Sequence, residues 1–189
     1  MDFQDSINEV KPELEWRQAI NIGLISGGIN VVIMLAKFLA GYEVYFNMWT
    51  LLQIPLVWGL IVCLNMNIRK QRPDPYMTWQ HAFFLLMISF ITCDILVQFF
   101  NYILNNFIDP DLPRVTYEFA RNKTESMMIQ FGAPQEKIDI ALEEMEKKRG
   151  DFNITPLSVL IQIGKSTLFY AAISALLALI VRKNRPVFS

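Results

Sequence analysis

The sequence has few of the residues from which metal centres and disulfide frameworks are built: its 189 residues include two cysteines and one histidine. A zinc or di-iron site needs several ligands clustered at helical spacing, and His81 has no such companion in its neighbourhood. Cys63 and Cys93 both lie inside apolar stretches, where a thiol usually serves as a small apolar side chain. A glycine-rich phosphate loop is also missing. The sequence therefore predicts a protein that is not an enzyme and that binds no cofactor or metal.

Charge is balanced in the whole chain, with a formal net charge of -1. The chain therefore lacks the excess of positive charge that is typical of nucleic-acid-binding proteins, and we expect no nucleic-acid partner. Hydrophobic residues make up 53% of the sequence, which is more than a soluble domain usually contains. The charged residues are sparse in long apolar stretches and dense between them. Such segregation is typical of a protein that contacts membrane lipids.

Long apolar stretches occur at four places, and each is long enough to cross a bilayer as a helix. About 20 residues, at a rise of about 1.5 Å each, span a hydrocarbon core about 30 Å thick. A cleaved signal peptide is the alternative for the first stretch, but acidic rather than basic residues precede it. The sequence predicts one all-α membrane domain, residues 1–189, which is a four-helix bundle with spans at about 18–40, 46–68, 82–104 and 156–181.

Basic residues in the short connections predict the orientation of these spans. Residues 41–45 contain no Lys or Arg, whereas Arg69 and Lys70 follow the second span and Arg182 and Lys183 follow the fourth. If the spans alternate in direction, these basic residues all lie on one side. We expect that side to be the cytoplasm, so that both termini of an inner-membrane protein are cytoplasmic.

The segment between the third and fourth spans, residues 105–155, is then extracytoplasmic. Apolar residues recur at helical spacing in residues 115–131 and 135–149, and Gly132 and Pro134 separate the two patterns. The prediction is an amphipathic helical hairpin. Either its two apolar stripes cover each other, or one stripe docks a protein partner or the membrane surface. The candidate partner-contact face consists of Met127, Met128, Ile138, Leu142 and Met145.

Asp94 and Lys165 are ionisable residues well inside predicted spans, where a charge is costly unless it is paired or hydrated. By helical rise their depths differ by about 6 Å, which is within the reach of a lysine side chain. We predict an intramembrane ion pair between them that fixes helix register. In a second interpretation Lys165 points outward, and Asp94 binds hydroxyls such as those of Ser26 or Ser166, or Asn30. A third gives Asp94 a role in transport or proton relay.

Gly23 and Gly27 are four residues apart in the first predicted span, a spacing that lets another helix backbone approach closely. This pattern is interpreted as a helix-packing site within the bundle. Dimerisation is the alternative.

Three stretches of the sequence carry a family resemblance. They are MTWQHAF at residues 77–83, MMIQFGAPQEKI at residues 127–138, and TPL at residues 155–157 before a span that ends in Arg182 and Lys183. With them the chain resembles an uncharacterised family of four-helix membrane proteins from Bacteroidetes, known only as a domain of unknown function. The resemblance implies four spans, an inner-membrane location and a bacterial source. It implies no activity and no functional residues.

A membrane body without recognisable chemistry, together with an amphipathic outer segment, favours an accessory or scaffold subunit of a larger envelope complex. Its partners would be membrane lipids and a protein of that complex. The alternative is a small transporter or lipid-handling protein whose pathway includes Asp94 and Lys165.

Overall fold

The computed structural model of the chain describes residues 12–45, 52–71, 76–147 and 154–183. Helix α4 continues into a π-helical turn, Leu104–Ile108, and Met77 and Lys183 form an isolated antiparallel β-bridge. The all-α prediction is confirmed for these described residues. The helices are α1 (Pro12–Leu39), α2 (Tyr42–Tyr45), α3 (Gln53–Gln71), α4 (Trp79–Ile103), α5 (Leu112–Gln130), α6 (Gln135–Lys147) and α7 (Pro156–Val181).

Among the described residues, three segments are long and apolar enough to cross a membrane: Glu15–Leu39, Trp79–Ile108 and Pro156–Val181. They correspond to the first, third and fourth predicted spans and indicate a membrane protein. The second predicted span, 46–68, begins in residues 46–51, which lie outside the described residues. Its remainder forms most of α3, a helix of 19 residues that ends with polar and basic side chains.

The chain forms two compact units, which are described separately here. The first comprises Met1–Phe99 and Leu160–Ser189, and the second comprises Phe100–Val159. In the first unit, buried side chains of α3, α4 and α7 such as Ile61, Leu85 and Ala178 form the core. Large apolar side chains also cover its outside, as expected for helices that contact lipid. Leu168, for example, is 77% exposed.

Contacts inside the first unit bring four helix ends together. The side chains of Glu15 and His81 pair, which joins the start of α1 to the start of α4. The guanidinium of Arg69 donates a hydrogen bond of 2.5 Å to the carbonyl of Val181, so the ends of α3 and α7 are adjacent. The bridge between Met77 and Lys183 places the start of α4 beside the end of α7. One end of this unit thus holds the start of α1, the end of α3, the start of α4 and the end of α7.

In the second unit, α5 and α6 contact each other across a tight turn. Gly132 has a φ of +70°, a conformation that glycine adopts without strain. The amides of Gly132 and Ala133 donate to the carbonyls of Ile129 and Met128, each at 2.9 Å. This is the hydrogen-bond pattern of a Schellman motif, which ends α5 where the sequence predicts. Pro134 precedes α6 rather than forming its first residue.

Candidate functional site

Gly23 and Gly27 on α1 lie directly against α4. A Cβ atom on Gly23 would be 2.6 Å from the carbonyl oxygen of Ser89 and 2.6 Å from Cβ of Thr92. A Cβ atom on Gly27 would be 3.1 Å from the carbonyl oxygen of Cys93. Because neither glycine has a side chain, the two backbones can approach this closely. The structure places both glycines in packing within one chain.

Buried polar side chains next to this approach link three helices. The hydroxyl of Ser89 on α4 donates to the carbonyl of Ala19 on α1 at 3.0 Å. The side-chain amide of Asn65 on α3 donates to the Ser89 hydroxyl at 3.2 Å. Both Ser89 and Asn65 are fully buried. These bonds hold α1, α3 and α4 in a fixed arrangement.

Asp94 faces α7, where hydroxyl groups bind its carboxyl group. Ser166 donates to one oxygen at 2.5 Å and Tyr170 to the other at 3.3 Å. The side-chain amide of Gln98 lies 3.5 Å from that second oxygen. Asp94 is only 7% exposed. The carboxyl group is therefore held between two helices by neutral donors.

Lys165 does not join this arrangement. Its side chain is exposed, and in the described part of the chain no ion pair links it to Asp94. The reason is angular: Ser166 and Tyr170 are four residues apart and share one face of α7. Lys165 is rotated from Ser166 by about 100° around the helix. The structure thus has the second arrangement considered from the sequence, with hydroxyls on Asp94 and Lys165 pointing outward, instead of the predicted ion pair.

A cavity of about 470 Å³ lies among α1, α3, α4 and α7, with Tyr45 of α2 also on its wall. This volume is within the range of about 300–1,000 Å³ that is usual for small-molecule sites. Asp94 lines the cavity beside Cys93, and the other polar side chains on the wall include Asn30, Lys37 and Gln53. All these residues belong to the first unit.

Aromatic rings form one wall of the cavity. The Trp58 ring centroid lies 6.0 Å from that of Phe90 and 5.9 Å from that of Phe169. Tyr170 stacks on Phe90 with centroids 5.5 Å apart and nearly parallel rings. Tyr170 therefore connects the ring cluster to Asp94, because its hydroxyl donates to the carboxyl group. We call Trp58, Phe90, Phe169 and Tyr170 the aromatic wall.

Lys37 also lines the cavity. Its ammonium donates to the side-chain oxygen of Gln53, whose amide donates in turn to the side-chain oxygen of Asn30. Gly27 is level with Cys93, and Lys37 follows ten residues later on α1, about 15 Å further along the helix axis. Lys37 and Asp94 thus line one cavity, and in the described part of the chain they form no ion pair with each other. The hydrogen bonds among Lys37, Gln53 and Asn30 could not be predicted from the sequence, because they depend on α1 and α3 lying side by side.

The predicted partner-contact face is turned largely inward in the second unit. Ile138 is buried, and Met128, Leu142 and Met145 are half-buried. Only Met127 is exposed. This arrangement fits the interpretation in which the two apolar stripes cover each other. Among the described residues of this unit, Phe131 is the most exposed apolar side chain, at 82%.

Comparison with known families identifies the family of the chain but assigns it no activity. Residues 21–183 match the model of a family described as Protein of unknown function (DUF4199). The chain belongs to the DUF4199 family. The match includes every residue that lines the cavity of this DUF4199 protein, and it confirms the uncharacterised family to which the sequence pointed. Neither the curated proteins nor the solved structures include a match to the chain. Across ranges 12–45, 52–71, 76–147 and 154–183, no group of three or more His, Cys, Asp or Glu side chains could hold a metal ion.

Proposed function

We propose that this DUF4199 protein crosses the inner membrane four times, with both termini in the cytoplasm, and holds a small polar or amphipathic ligand in the cavity of its first unit. That places it with small transporters and lipid-handling proteins. The observation that carries the proposal is the buried carboxyl group of Asp94 on the wall of a cavity of about 470 Å³. The sequence predicted a ligand pathway that includes Asp94 and Lys165. In the structure, Lys37 rather than Lys165 lines the cavity together with Asp94.

The proposed fourth crossing is made by α3. Its 19 residues extend about 28 Å at helical rise, close to the thickness of the hydrocarbon core. It packs beside α1, and its buried Asn65 bonds to α4. Arg69 and Lys70 lie at its end, beside the end of α7, where Arg182 and Lys183 follow. Basic residues at this one end support its assignment to the cytoplasm.

The cost of a buried carboxyl group supports a ligand rather than a purely structural role. An ionisable group at membrane depth destabilises the fold unless partners compensate for it. The hydrogen bonds from Ser166 and Tyr170 satisfy the oxygens but supply no positive charge. If residue 94 served only to connect helices, an Asn or Ser side chain could form the hydrogen bonds without the cost of burying an ionisable group. Asp94 on a cavity wall is the position expected for a group that meets a ligand.

Native mass spectrometry of the purified full-length protein tests the proposal. We expect the wild type to carry a small-molecule adduct that survives mild detergent. Met34→Trp should reduce its occupancy at least about tenfold, because Met34 lines the cavity and is half-buried, and a larger side chain there fills the ligand's space. Val32→Trp is the matched control, since Val32 is 65% exposed on the same helix. A wild type without adduct, or a Met34→Trp protein that retains it fully, contradicts the proposal.

An accessory or scaffold role in an envelope complex is the second candidate, and the exposed end of α5 favours it. Ile129 is 58% exposed and Phe131 is 82% exposed, a combination typical of a contact surface. If this end docks a partner, a wild-type pull-down in mild detergent contains one protein at stoichiometric level. Ile129→Ser with Phe131→Ser removes it, while Ile140→Ser at another exposed site does not. A wild type that purifies alone and monodisperse rules out the subunit role.

A further inference from the structure

We infer that the cavity binds an organic ammonium group, with Asp94 as its counter-ion and the aromatic wall as its second contact. The inference rests on the proposed ligand-binding function and names the ligand class for it. It draws on three features of the first unit: the charge balance around Asp94, the four rings beside it, and the separate position of Lys37.

In the described part of the chain, the side chains that bond directly to Asp94 are neutral donors. Ser166, Tyr170 and Gln98 are all neutral. Among the residues that the structure describes, no Lys, Arg or His side chain forms an ion pair with Asp94. A carboxylate in a poorly solvated place attracts a positive charge strongly. A metal ion fits this place badly, because hard cations prefer several carboxylate oxygens and Asp94 is the one Asp or Glu among the described residues that line the cavity. A cationic ligand supplies the missing charge.

The aromatic wall selects the kind of cation. Ring faces attract ammonium groups through the cation–π interaction, and tryptophan does so best. Trp58, Phe90, Phe169 and Tyr170 have successive ring centroids within 6.0 Å of one another. The Tyr170 hydroxyl contacts Asp94, so the carboxyl group and the rings meet at one place. Carboxylate and ring faces together suit an ammonium that carries alkyl groups, since its apolar surface packs on the rings.

Lys37 fixes the orientation of such a ligand. Its ammonium is bonded to Gln53, and its Cα atom lies ten residues, about 15 Å, along α1 from Gly27, which is level with Cys93. Like charges repel, so the ligand's ammonium is directed to the Asp94 end. The amides of Asn30 and Gln53 and the ammonium of Lys37 are then available to an oxygen-bearing group at the ligand's other end.

The direct test titrates the purified full-length protein in lipid nanodiscs with choline and with 3,3-dimethylbutan-1-ol, its neutral isostere, by isothermal calorimetry. The two probes have the same shape and differ in charge. We expect saturable choline binding that is at least tenfold tighter than binding of the alcohol. Asp94→Asn should abolish the difference, and Trp58→Leu should weaken choline binding at least tenfold. Asp139→Asn, at an exposed position of α6, should bind choline as the wild type does.

The wild-type comparison of the two probes needs no variant, so a misfolded variant does not obscure it. Equal affinity for choline and the alcohol overturns the inference. An adduct in native mass spectrometry that carries no amine also overturns it, but leaves the proposed function standing. Absence of both an adduct and choline binding overturns the inference and the proposed function together. Asp94→Glu, which keeps the charge, should retain a preference for choline, and a complete loss of preference there counts against the counter-ion role.

Discussion

Gly23→Leu is expected to prevent the first unit from assembling. A Cβ atom at this position would lie 2.6 Å from the Ser89 carbonyl oxygen and 2.6 Å from Cβ of Thr92. The carbonyl belongs to the backbone of α4 and cannot rotate away as a flexible side chain can. Over-packing of a tight site costs about 1–3 kcal/mol, and leucine adds three further carbons to the clash. If α4 moved away from α1 to relieve the clash, the hydrogen bond from Ser89 to Ala19 would break.

Gly28→Leu is the matched control, because a Cβ atom there would meet nothing within 4 Å. Thermal melting and size-exclusion chromatography of both variants in the same detergent measure the effect. Gly23→Leu should be aggregated or melt well below the wild type, whereas Gly28→Leu should resemble it. If Gly23→Leu kept the wild-type melting temperature and changed only the oligomeric state, the glycine would belong to a dimer interface instead.

Much of the helical layout could be predicted because the signals for it are local. The range of α7 agrees with the prediction. α5 ends at Gln130, two residues before Gly132, whose positive φ glycine adopts without strain. Proline at residues 113 and 134 lies beside helix starts, as its fixed φ and missing amide hydrogen favour. The short α2 was not predicted, since four residues after a glycine give no periodic pattern.

The arrangement around Asp94 could not be predicted from depth alone. Helical rise places Asp94 and Lys165 at similar depths, but whether they meet depends on how each helix is rotated. Ser166 and Tyr170 face Asp94 across the contact between α4 and α7, while Lys165 points elsewhere. The aromatic wall has the same origin, because its rings come from three helices that are distant in sequence. Only the packing of those helices brings them together.

The partner-contact face shows a related difficulty in the second unit. A stripe such as Met128, Leu142 and Met145 has the same sequence pattern whether it packs inside its own unit or against another protein. The half-buried state of these side chains distinguishes the two. Phe131 belongs to the periodic pattern of residues 115–131 but not to the predicted contact face, and it is 82% exposed.

The even number of crossings is the claim on which the cavity's location in the membrane depends. The contacts of Glu15 with His81 and of Met77 with Lys183 place the start of α1 and the end of α7 at the same end of the first unit. Three crossings would put these two helix ends on opposite sides of the membrane. Four crossings, with α3 included, keep them on one side.

Labelling of single cysteines with a membrane-impermeant maleimide in spheroplasts tests this most directly. The background is Cys63→Ser with Cys93→Ser, which removes both cysteines of the chain. We expect Ser126→Cys, at an exposed position of α5, to be labelled in sealed spheroplasts. Ser189→Cys should be labelled only after the membrane is dissolved. Labelling of Ser189→Cys from outside sealed spheroplasts would contradict the four-crossing arrangement.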